Sequence, residues 1–413
     1  MTYFLVFLYP MHRKIVIFFS VFVCLSLRSQ NIKTVQLKAS NNSSSFSCAF
    51  KLGTKVVLTF DDLEADTKEY SYKIEHYTHD WKPSTLSVNQ YIIGFDENPI
   101  LDVTNSFNTL QPYTHYSVAF PNSNTRITKS GNYLISILDE DENTVFSRRI
   151  IFYEDTVVVG VSVSRSRTNL NDKEQIVQFI VNHPNLTINT PNQEVTAVLL
   201  QNHSWNNQIA NIQPLYVKSN QLVYNHTTTT NFLGNNEFRN FDTKYVRNTS
   251  MNIERVERID IYHTFLFADE PRRNRIYSYN PDINGQFTIT TLDANDAATE
   301  ADYTMVHFSL LAEPFSEDVY VYGAFNDFQM REENRMIYNN TSHRYEASIL
   351  LKQGFYNYTY ATESNSGTVN LNSIDGTYFQ TENEYTAVIY YRPFGGLYDR
   401  VIGVGFGYYN QNR

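Results

Sequence analysis

Cysteine is scarce in this sequence, since 413 residues contain only Cys24 and Cys48. A fold held together by disulfides and a zinc cluster built on thiolates both need more cysteine than this. Cys24 lies in an N-terminal segment that we expect to be removed, so the mature chain should carry one thiol and no internal disulfide. A chain of this length can instead form about two to four domains that each bury a core of their own.

Basic charge is also scarce: 33 Lys and Arg stand against 43 Asp and Glu, which gives a formal net charge of −10. Binding to nucleic acid needs Lys and Arg clustered opposite the phosphates. The composition therefore predicts no nucleic-acid partner, and it predicts an acidic surface that keeps the protein in solution.

Long apolar runs are missing after residue 30, but one lies before it. The basic tripeptide HRK precedes an apolar run over residues 15–27, which is followed by small residues. This run of about a dozen residues is shorter than the about 20 that a membrane-spanning helix needs. We predict a cleaved signal peptide over residues 1–29 and a periplasmic protein of a Gram-negative cell. A start at Met11 and a lipoprotein anchor at Cys24 are alternatives.

Recognisable catalytic motifs are missing as well. The sequence has no GxSxG, HExxH or GxxxxGK[ST], and no GxGxxG between a strand and a helix. We therefore predict no enzyme, no catalytic residues and no cofactor, and keep a cryptic hydrolase as the last alternative. The acidic cluster of Asp61, Asp62, Glu64 and Asp66 lacks the ligand spacing of an EF-hand loop, which favours a solvated turn over a calcium site.

Aromatic residues are abundant, with 31 Tyr and 28 Phe. Aromatic and β-branched side chains fit the surface of a pleated sheet, and short alternating runs such as "KVVLTF" and "GNYLISIL" recur between turn residues without a long amphipathic helix. We predict an all-β fold of tandem immunoglobulin-like or early-set β-sandwich domains. The predicted domains are an immunoglobulin-like sandwich over 30–154, a middle β-domain over 155–299 and an early-set-like sandwich over 300–413.

Nine aromatic residues crowd the first domain. Core packing should take at least about two thirds of them, and the rest would suit a protein interface. They are Tyr70, Tyr72, Tyr77, Trp81, Tyr91, Phe95, Phe107, Tyr113 and Tyr116.

The stretch "SYKIEHYTHDWKPS" combines His76 and His79 with an aspartate and a tryptophan. Its alternation predicts a strand, on which the two histidines point to opposite faces. This spacing favours structural histidines at a strand end over a shared metal site. Two interpretations remain for Trp81: it fills the sandwich core while Asp80 or Ser84 caps the following turn, which we favour, or it anchors a partner.

The stretches "VYVYGAFNDFQ" and "LLKQGFYNYTYATE" in the third domain resemble the early-set modules that bind glycogen and starch. The resemblance implies the sandwich fold over about 50 residues. It also raises an alternative function, a periplasmic carbohydrate-binding protein that would contact glycan through Phe325, Phe328 and Tyr356. However, Phe328 stands where those modules usually have tryptophan, and Phe325 and Tyr356 alternate like core residues.

Several ordered motifs together resemble the periplasmic plug proteins of the type IX secretion system. The match extends over nearly the whole mature chain, with Tyr77 as a local departure from a small residue or cysteine in many relatives. The motifs are "LTFDDLEAD", "YSYKIEHYTHDWKPSTLSVNQYIIGF", "SFNTLQPYTHYSVAFPN", "SGNYLISIL", "NNEFRNFDTKYV", "DINGQF" and "EADYTMVHFSL".

This resemblance implies a non-enzymatic protein that docks on the large outer-membrane β-barrel translocon of type IX secretion. It would seal the periplasmic opening of the barrel when no cargo is present, and would contact the membrane only through the translocon. A stable complex of this kind buries about 1,200 to 2,000 Å². The residues that we predict for the partner interface are His79, Asp80, Trp81, Phe238, Arg239, Phe241 and Tyr245.

Overall fold

A computed structural model describes residues 31–40, 46–168, 170–364 and 366–409. The predicted signal peptide and Cys24 lie outside these residues. Within them the fold is all-β, as predicted, and helices are limited to short turns. These turns are α1 Val88–Tyr91, α2 Pro191–Glu194 and the 3-10 turns Ala324–Asn326 and Glu332–Asn334.

The strands fall into three groups along the chain. The first group is β1 Ile32–Ala39, β2 Ala49–Lys51, β3 Val56–Asp62, β4 Ser71–Tyr77, β5 Ile92–Gly94, β6 Glu97–Pro99, β7 Asp102–Asn105, β8 Thr114–Phe120, β9 Thr125–Ile127, β10 Gly131–Leu138 and β11 Thr144–Tyr153. The second group is β12 Val158–Arg165, β13 Glu174–Asn182, β14 Val195–Gln201, β15 Ser204–Ile212, β16 Tyr216–Lys218, β17 Gln221–Tyr224 and β18 Asn231–Leu233. The third group is β19 Arg239–Asp242, β20 Ile253–Arg258, β21 Tyr262–Leu266, β22 Phe287–Ile289, β23 Tyr303–Leu310, β24 Asp318–Tyr322, β25 Arg335–Asn339, β26 Arg344–Lys352, β27 Gly354–Glu363, β28 Val369–Asn370, β29 Asn383–Tyr391 and β30 Arg400–Tyr409.

The first sandwich contains sheets of strand order β1-β3-β8-β7 and β2-β11-β10-β4-β6, with a small β5-β9 pair beside them. Alternation along β3 and β4 directs every second side chain inward, as in Leu58, Phe60, Tyr72 and Ile74. These residues form one buried core, so the alternating sequence pattern accounts for this part of the fold.

The second sandwich contains a sheet of order β12-β13-β17-β16, with β18 beside β13, and a sheet of order β15-β14-β29-β30. Strand β14 pairs with β29 from Val195 opposite Tyr391 to Gln201 opposite Tyr385. The pairing therefore crosses the predicted boundary at residue 299, because the last two strands return to the second sandwich. Strands β14 and β29 are buried on both faces, and an apolar run carries no information about its distant partner.

Glycines in β30 allow the close approach of β12. An added Cβ on Gly405 or Gly407 would lie 2.7 or 2.5 Å from a valine side chain of β12, and one on Gly403 would lie 2.6 Å from Val157, just before that strand. The alternating glycines of "GVGFG" therefore let the C-terminal strand pack against the edge of the facing sheet.

The third sandwich is formed by ten strands between residues 239 and 370, in the order β19-β27-β24-β25-β26-β23-β21-β20 with β22 and β28 beside β27. The ring centroids of Phe241 in β19 and Phe308 in β23 are 5.8 Å apart, so distant parts of the sheet close over one core. Phe241, Tyr356 and Phe287 stack at the centre of this core.

An apolar cluster joins the first and second sandwiches. It combines Cys48 and Ile151 of the first with Val198, Leu200 and Tyr390 of the second, among others. Cys48 is a buried free thiol. The two sandwiches therefore share buried apolar surface, which opposes their separation.

Candidate functional site

The loop after β4 connects the first sandwich to the second. The Thr78 N–H donates to the Lys82 carbonyl at 2.8 Å, and Trp81 adopts a left-handed φ of 60° within this turn. His79 Nδ1 lies 3.0 Å from Asp399 Oδ2, and this hydrogen bond raises the pKa of His79 above its usual value. Asp80 accepts a hydrogen bond from the Thr78 hydroxyl at 2.5 Å, which agrees with the turn-capping role predicted for it.

Trp81 packs between the two sandwiches rather than inside the first. Its ring centroid is 4.9 Å from that of Trp205 in β15, with the rings edge to face, and the Arg149 guanidinium lies 4.7 Å above it. The side chain is half-buried and is absent from the core cluster of the described residues. The favoured prediction that Trp81 fills the sandwich core is therefore wrong. Its role toward a partner stays a prediction.

The other predicted partner residues lie in or beside β19 of the third sandwich. Arg239 forms ion pairs with Asp269 at 2.6 Å and Asp375 at 2.7 Å, and its side chain is only 11% exposed. Burial alone would lower the pKa of Arg239, but the two carboxylates raise it above the usual value. Phe241 is fully enclosed, and Tyr245 is 45% exposed.

The remaining member of that group, Phe238, is half-buried and approaches Phe328 around Gly285. The three residues predicted for a glycan site also differ in exposure. Tyr356 is 1% exposed, so its ring faces are not available to a sugar. Phe325 and Phe328 are half-buried, and Phe328 packs on Tyr322 at an angle of 52° rather than forming a coplanar row.

A buried ion pair connects the first and third sandwiches. Lys352 Nζ lies 2.7 Å from Asp61 Oδ2, and the two side chains are 1% and 0% exposed. The Tyr303 hydroxyl donates to the same carboxylate at 2.7 Å, and His115 Nδ1 lies 2.6 Å from its other oxygen. Asp62 is buried as well, 2.8 Å from Lys68. The prediction of a solvated turn is therefore wrong for Asp61 and Asp62, because distant and neighbouring cations enclose them.

One segment of the first sandwich exposes several large apolar side chains. Strand β6 is the last strand of one sheet and β7 is the last strand of the other, so Phe95, Leu101 and Phe107 lie beside strands at sheet edges, whereas Ile93 lies in the β5–β9 pair. Four large apolar side chains point to solvent there, and we name them the apolar edge. They are Ile93 (54% exposed), Phe95 (68%), Leu101 (82%) and Phe107 (70%).

The apolar edge has the character of an interface. The acidic residues Glu97 and Asp102 are exposed beside it, as in the polar rim of many interfaces. Large apolar side chains exposed in a group, next to edge strands, often mark a binding surface. Phe95 and Phe107 are two of the nine aromatics that local sequence patterns do not separate from the core. The turn residues of "GFDENP" are the sequence signal for the exposure of Phe95.

Two general features bear on function. Within the described ranges, no three His, Cys, Asp or Glu side chains converge in a way that could hold a metal ion. No helix of the described chain is both long and apolar enough to cross a membrane.

The fold and these surfaces define a class of protein: a three-sandwich β-protein with an exposed apolar edge on its first sandwich. Residues 32–154 match the family model of the type 9 secretion system plug protein 1st domain. The chain belongs to the type 9 secretion system plug protein family.

A crystal structure of a hypothetical protein from Parabacteroides merdae is similar over almost the whole chain. The two share 33% sequence identity with a TM-score of 0.88, over 92% of this chain and 98% of that chain. A structure titled as the BSP domain of a biofilm-associated protein shows 7% identity and a TM-score of 0.15, over 92% of this chain and 58% of that one, which supports no argument. No curated protein matches the sequence.

Proposed function

We propose that this protein is a non-enzymatic periplasmic plug of type IX secretion. It binds the large outer-membrane β-barrel translocon from the periplasm and closes the opening of the barrel when no cargo is present. The observation that carries this proposal is the match of residues 32–154 to the first domain of the plug family. The predicted signal peptide supports periplasmic localisation, and contact with the membrane would be made only through the translocon.

The apolar edge supplies the docking surface in this proposal. It lies on the domain that matches the plug family, and its two phenylalanines are of the kind that anchor protein interfaces. A stable contact requires about 1,200 to 2,000 Å² of buried surface, so further residues must join it. Asp80 and Tyr245 retain side chains that are 37% and 45% exposed and can extend the contact. The other predicted partner residues, His79, Trp81, Phe238, Arg239 and Phe241, are buried or half-buried, and their role toward a partner stays a prediction.

Closing a wide aqueous opening also requires a body that keeps its shape. The first sandwich is held to the second by the cluster around Cys48 and Tyr390, and to the third by the Asp61–Lys352 pair. Both junctions are buried, so rearrangement of the sandwiches would expose apolar surface or an unpaired charge. This rigidity supports a role in blocking rather than in enclosing a substrate.

The test is affinity capture with the tagged protein from detergent-solubilised outer membrane, followed by mass spectrometry. We expect the wild-type protein to recover a giant β-barrel, and the double variant F95E/F107E to lose it. Phe394→Glu is the matched control, because Phe394 is fully exposed on the loop between β29 and β30. The purified barrel in a planar bilayer should conduct less ion current after the wild-type protein is added.

The possible outcomes separate the parts of the proposal. If the wild-type protein recovers no barrel under conditions that preserve membrane complexes, the plug function is refuted. If F95E/F107E recovers the barrel as well as the wild type does, the plug function stands and the docking surface is wrong. If the protein binds the barrel but leaves its conductance unchanged, the protein is a translocon partner that does not seal the opening.

A further inference from the structure

A cleft of about 480 Å³ lies between the second and third sandwiches. One wall comes from the β14–β15 hairpin and β18, and the other from β28 and the region around Phe328. This volume is within the range of about 300 to 1,000 Å³ that small-molecule sites occupy. We name it the amide cleft, because seven of its 18 lining residues are asparagine.

The lining of the amide cleft contains no Asp, Glu, Lys, Arg or His. A phosphate, a carboxylate or a cation would therefore lose its hydration without meeting an opposite charge, which is costly. A purely hydrocarbon ligand is also disfavoured, because it would cover side-chain amides without supplying hydrogen bonds. The lining favours a ligand that is neutral and rich in hydrogen-bonding groups.

Three amide oxygens of the lining residues lack a donor among the described residues. They are the Oδ1 atoms of Asn207, Asn231 and Asn372, all shielded from solvent. An unpaired buried acceptor costs about 1 to 3 kcal/mol in general, so a ligand hydroxyl that reached one of these oxygens would satisfy it. An asparagine side chain can also donate, so it complements a hydroxyl group in both directions.

The lining also contains apolar groups. Phe238 and Phe328 contribute aromatic rings, and Leu233 and Val369 are each 40% exposed. Asn206 Nδ2 donates to the Phe328 carbonyl at 2.6 Å, and so fixes that residue in the wall. The cleft thus combines rings that can receive a C–H face with amides that can receive hydroxyls.

We propose that the amide cleft binds a neutral saccharide. A sugar presents apolar C–H faces and a dense set of hydroxyls without charge, which matches both parts of the lining. An uncharged extended peptide would satisfy amides too, but peptide recognition on a sheet depends on main-chain pairing, whereas most polar residues of this lining are side-chain amides, with Asn or Gln at eight of the 18 positions. Phe328, predicted for a glycan site, lines this cleft, while Phe325 and Tyr356 do not. The proposal is independent of translocon binding.

The test is saturation-transfer NMR and calorimetry on the purified protein, with maltotriose, cellotriose and chitotriose as probes at millimolar concentration. We expect at least one of these trisaccharides to bind, and Val369→Arg to weaken its binding about tenfold or more by placing a long charged side chain in the cleft. Val217→Arg is the matched control, because Val217 is 53% exposed on β16, outside the cleft. It should bind like the wild type, and circular dichroism should show both variants folded.

The proposal is overturned if none of the three trisaccharides binds the wild type. It is also overturned if Val369→Arg and Val217→Arg bind equally well, since the sugar would then bind elsewhere. An acetylated and amidated tetra-alanine peptide is the competing probe: if it binds while the sugars do not, the cleft is a peptide site. Loss of saccharide binding in Val369→Arg with normal capture of the barrel would separate this site from the docking surface.

Discussion

Replacing Lys352 with methionine should destabilise the protein strongly, although the two side chains have similar volumes. The ammonium lies 2.7 Å from Asp61 Oδ2 and 2.7 Å from the Ala298 carbonyl, and is 1% exposed. Burial lowers the pKa of Lys352, and the attraction of Asp61 opposes this effect. Methionine would fill the space but would leave the Asp61 carboxylate buried without its cation.

The expected loss of folding free energy depends on the hydrogen bonds that Asp61 keeps in the variant. Removing one partner of a buried ion pair costs about 3 to 5 kcal/mol. Asp61 keeps the Tyr303 hydroxyl at 2.7 Å and His115 Nδ1 at 2.6 Å, so we expect a value near the lower end, about 3 kcal/mol. The double variant Asp61→Asn/Lys352→Met should lose less, because neither charge then remains buried alone.

Urea unfolding followed by far-UV circular dichroism measures this effect. Tryptophan fluorescence is a second probe, because Trp81 and Trp205 meet at the other junction of the first sandwich, and coincident transitions would show that the molecule unfolds in one step. Lys218→Met, at an exposed position on β16, should leave the midpoint unchanged. A Lys352→Met protein with the midpoint and slope of the wild type would refute the view that this pair holds the first and third sandwiches together.

Two further predictions concern the other charged contacts. Arg239→Met should cost about 3 kcal/mol in the same urea assay, because it removes the guanidinium from Asp269 while Asp375 keeps Arg272 at 2.8 Å. Arg239→Lys should lose less, and equal losses for the two variants would show that the positive charge does not carry the stabilisation. His79→Gln should remove a pH-dependent contribution to stability, since the pKa of His79 is raised above 6.5 and the pKa of Asp399 is lowered below 3.8 in the folded protein. The stability gained from His79 is fully present below pH 6.5 and is lost as the pH rises through the raised pKa of His79. The stability gained from Asp399 is present above pH 3.8 and is lost as the pH falls through the lowered pKa of Asp399. The difference between wild type and His79→Gln should therefore be largest in mildly acidic buffer and should shrink above neutrality; a difference independent of pH would contradict this pairing.

The strands could be predicted from the sequence because alternation is a local signal. In β4, "SYKIEHY" alternates half-buried and buried residues along its whole length, as a strand with one face on the core must. The same kind of local pattern predicts a solvated turn for Asp61 and Asp62, and this prediction is wrong. Their burial depends in part on Lys352, which is 291 residues from Asp61. No spacing in the sequence encodes such a contact.

The aromatic residues of the first domain also show that a local sequence pattern does not determine burial. Of the nine in the first domain, five are buried, which is fewer than the predicted two thirds: Tyr70, Tyr72, Tyr91, Tyr113 and Tyr116. Phe95 and Phe107 are exposed because they flank β6 and β7, which are edge strands. Whether a strand lies at an edge depends on the order of the sheet, and sheet order is set by long-range pairing. The sequence alone therefore does not predict the apolar edge.

The junctions of the first sandwich differ in chemistry, and this difference bears on the plug proposal. The junction with the second sandwich combines the non-directional apolar cluster around Cys48 and Tyr390 with the His79–Asp399 hydrogen bond. The fully buried Asp61–Lys352 pair at the other junction has one arrangement in which both charges are satisfied, and a shift would leave them unpaired. We infer that the ion pair and the His79–Asp399 contact together set the orientation of the first sandwich, and with it the direction in which the apolar edge faces. A plug that fits one opening needs a single orientation of its first sandwich. The buried ion pair would then fix this orientation in addition to its effect on stability.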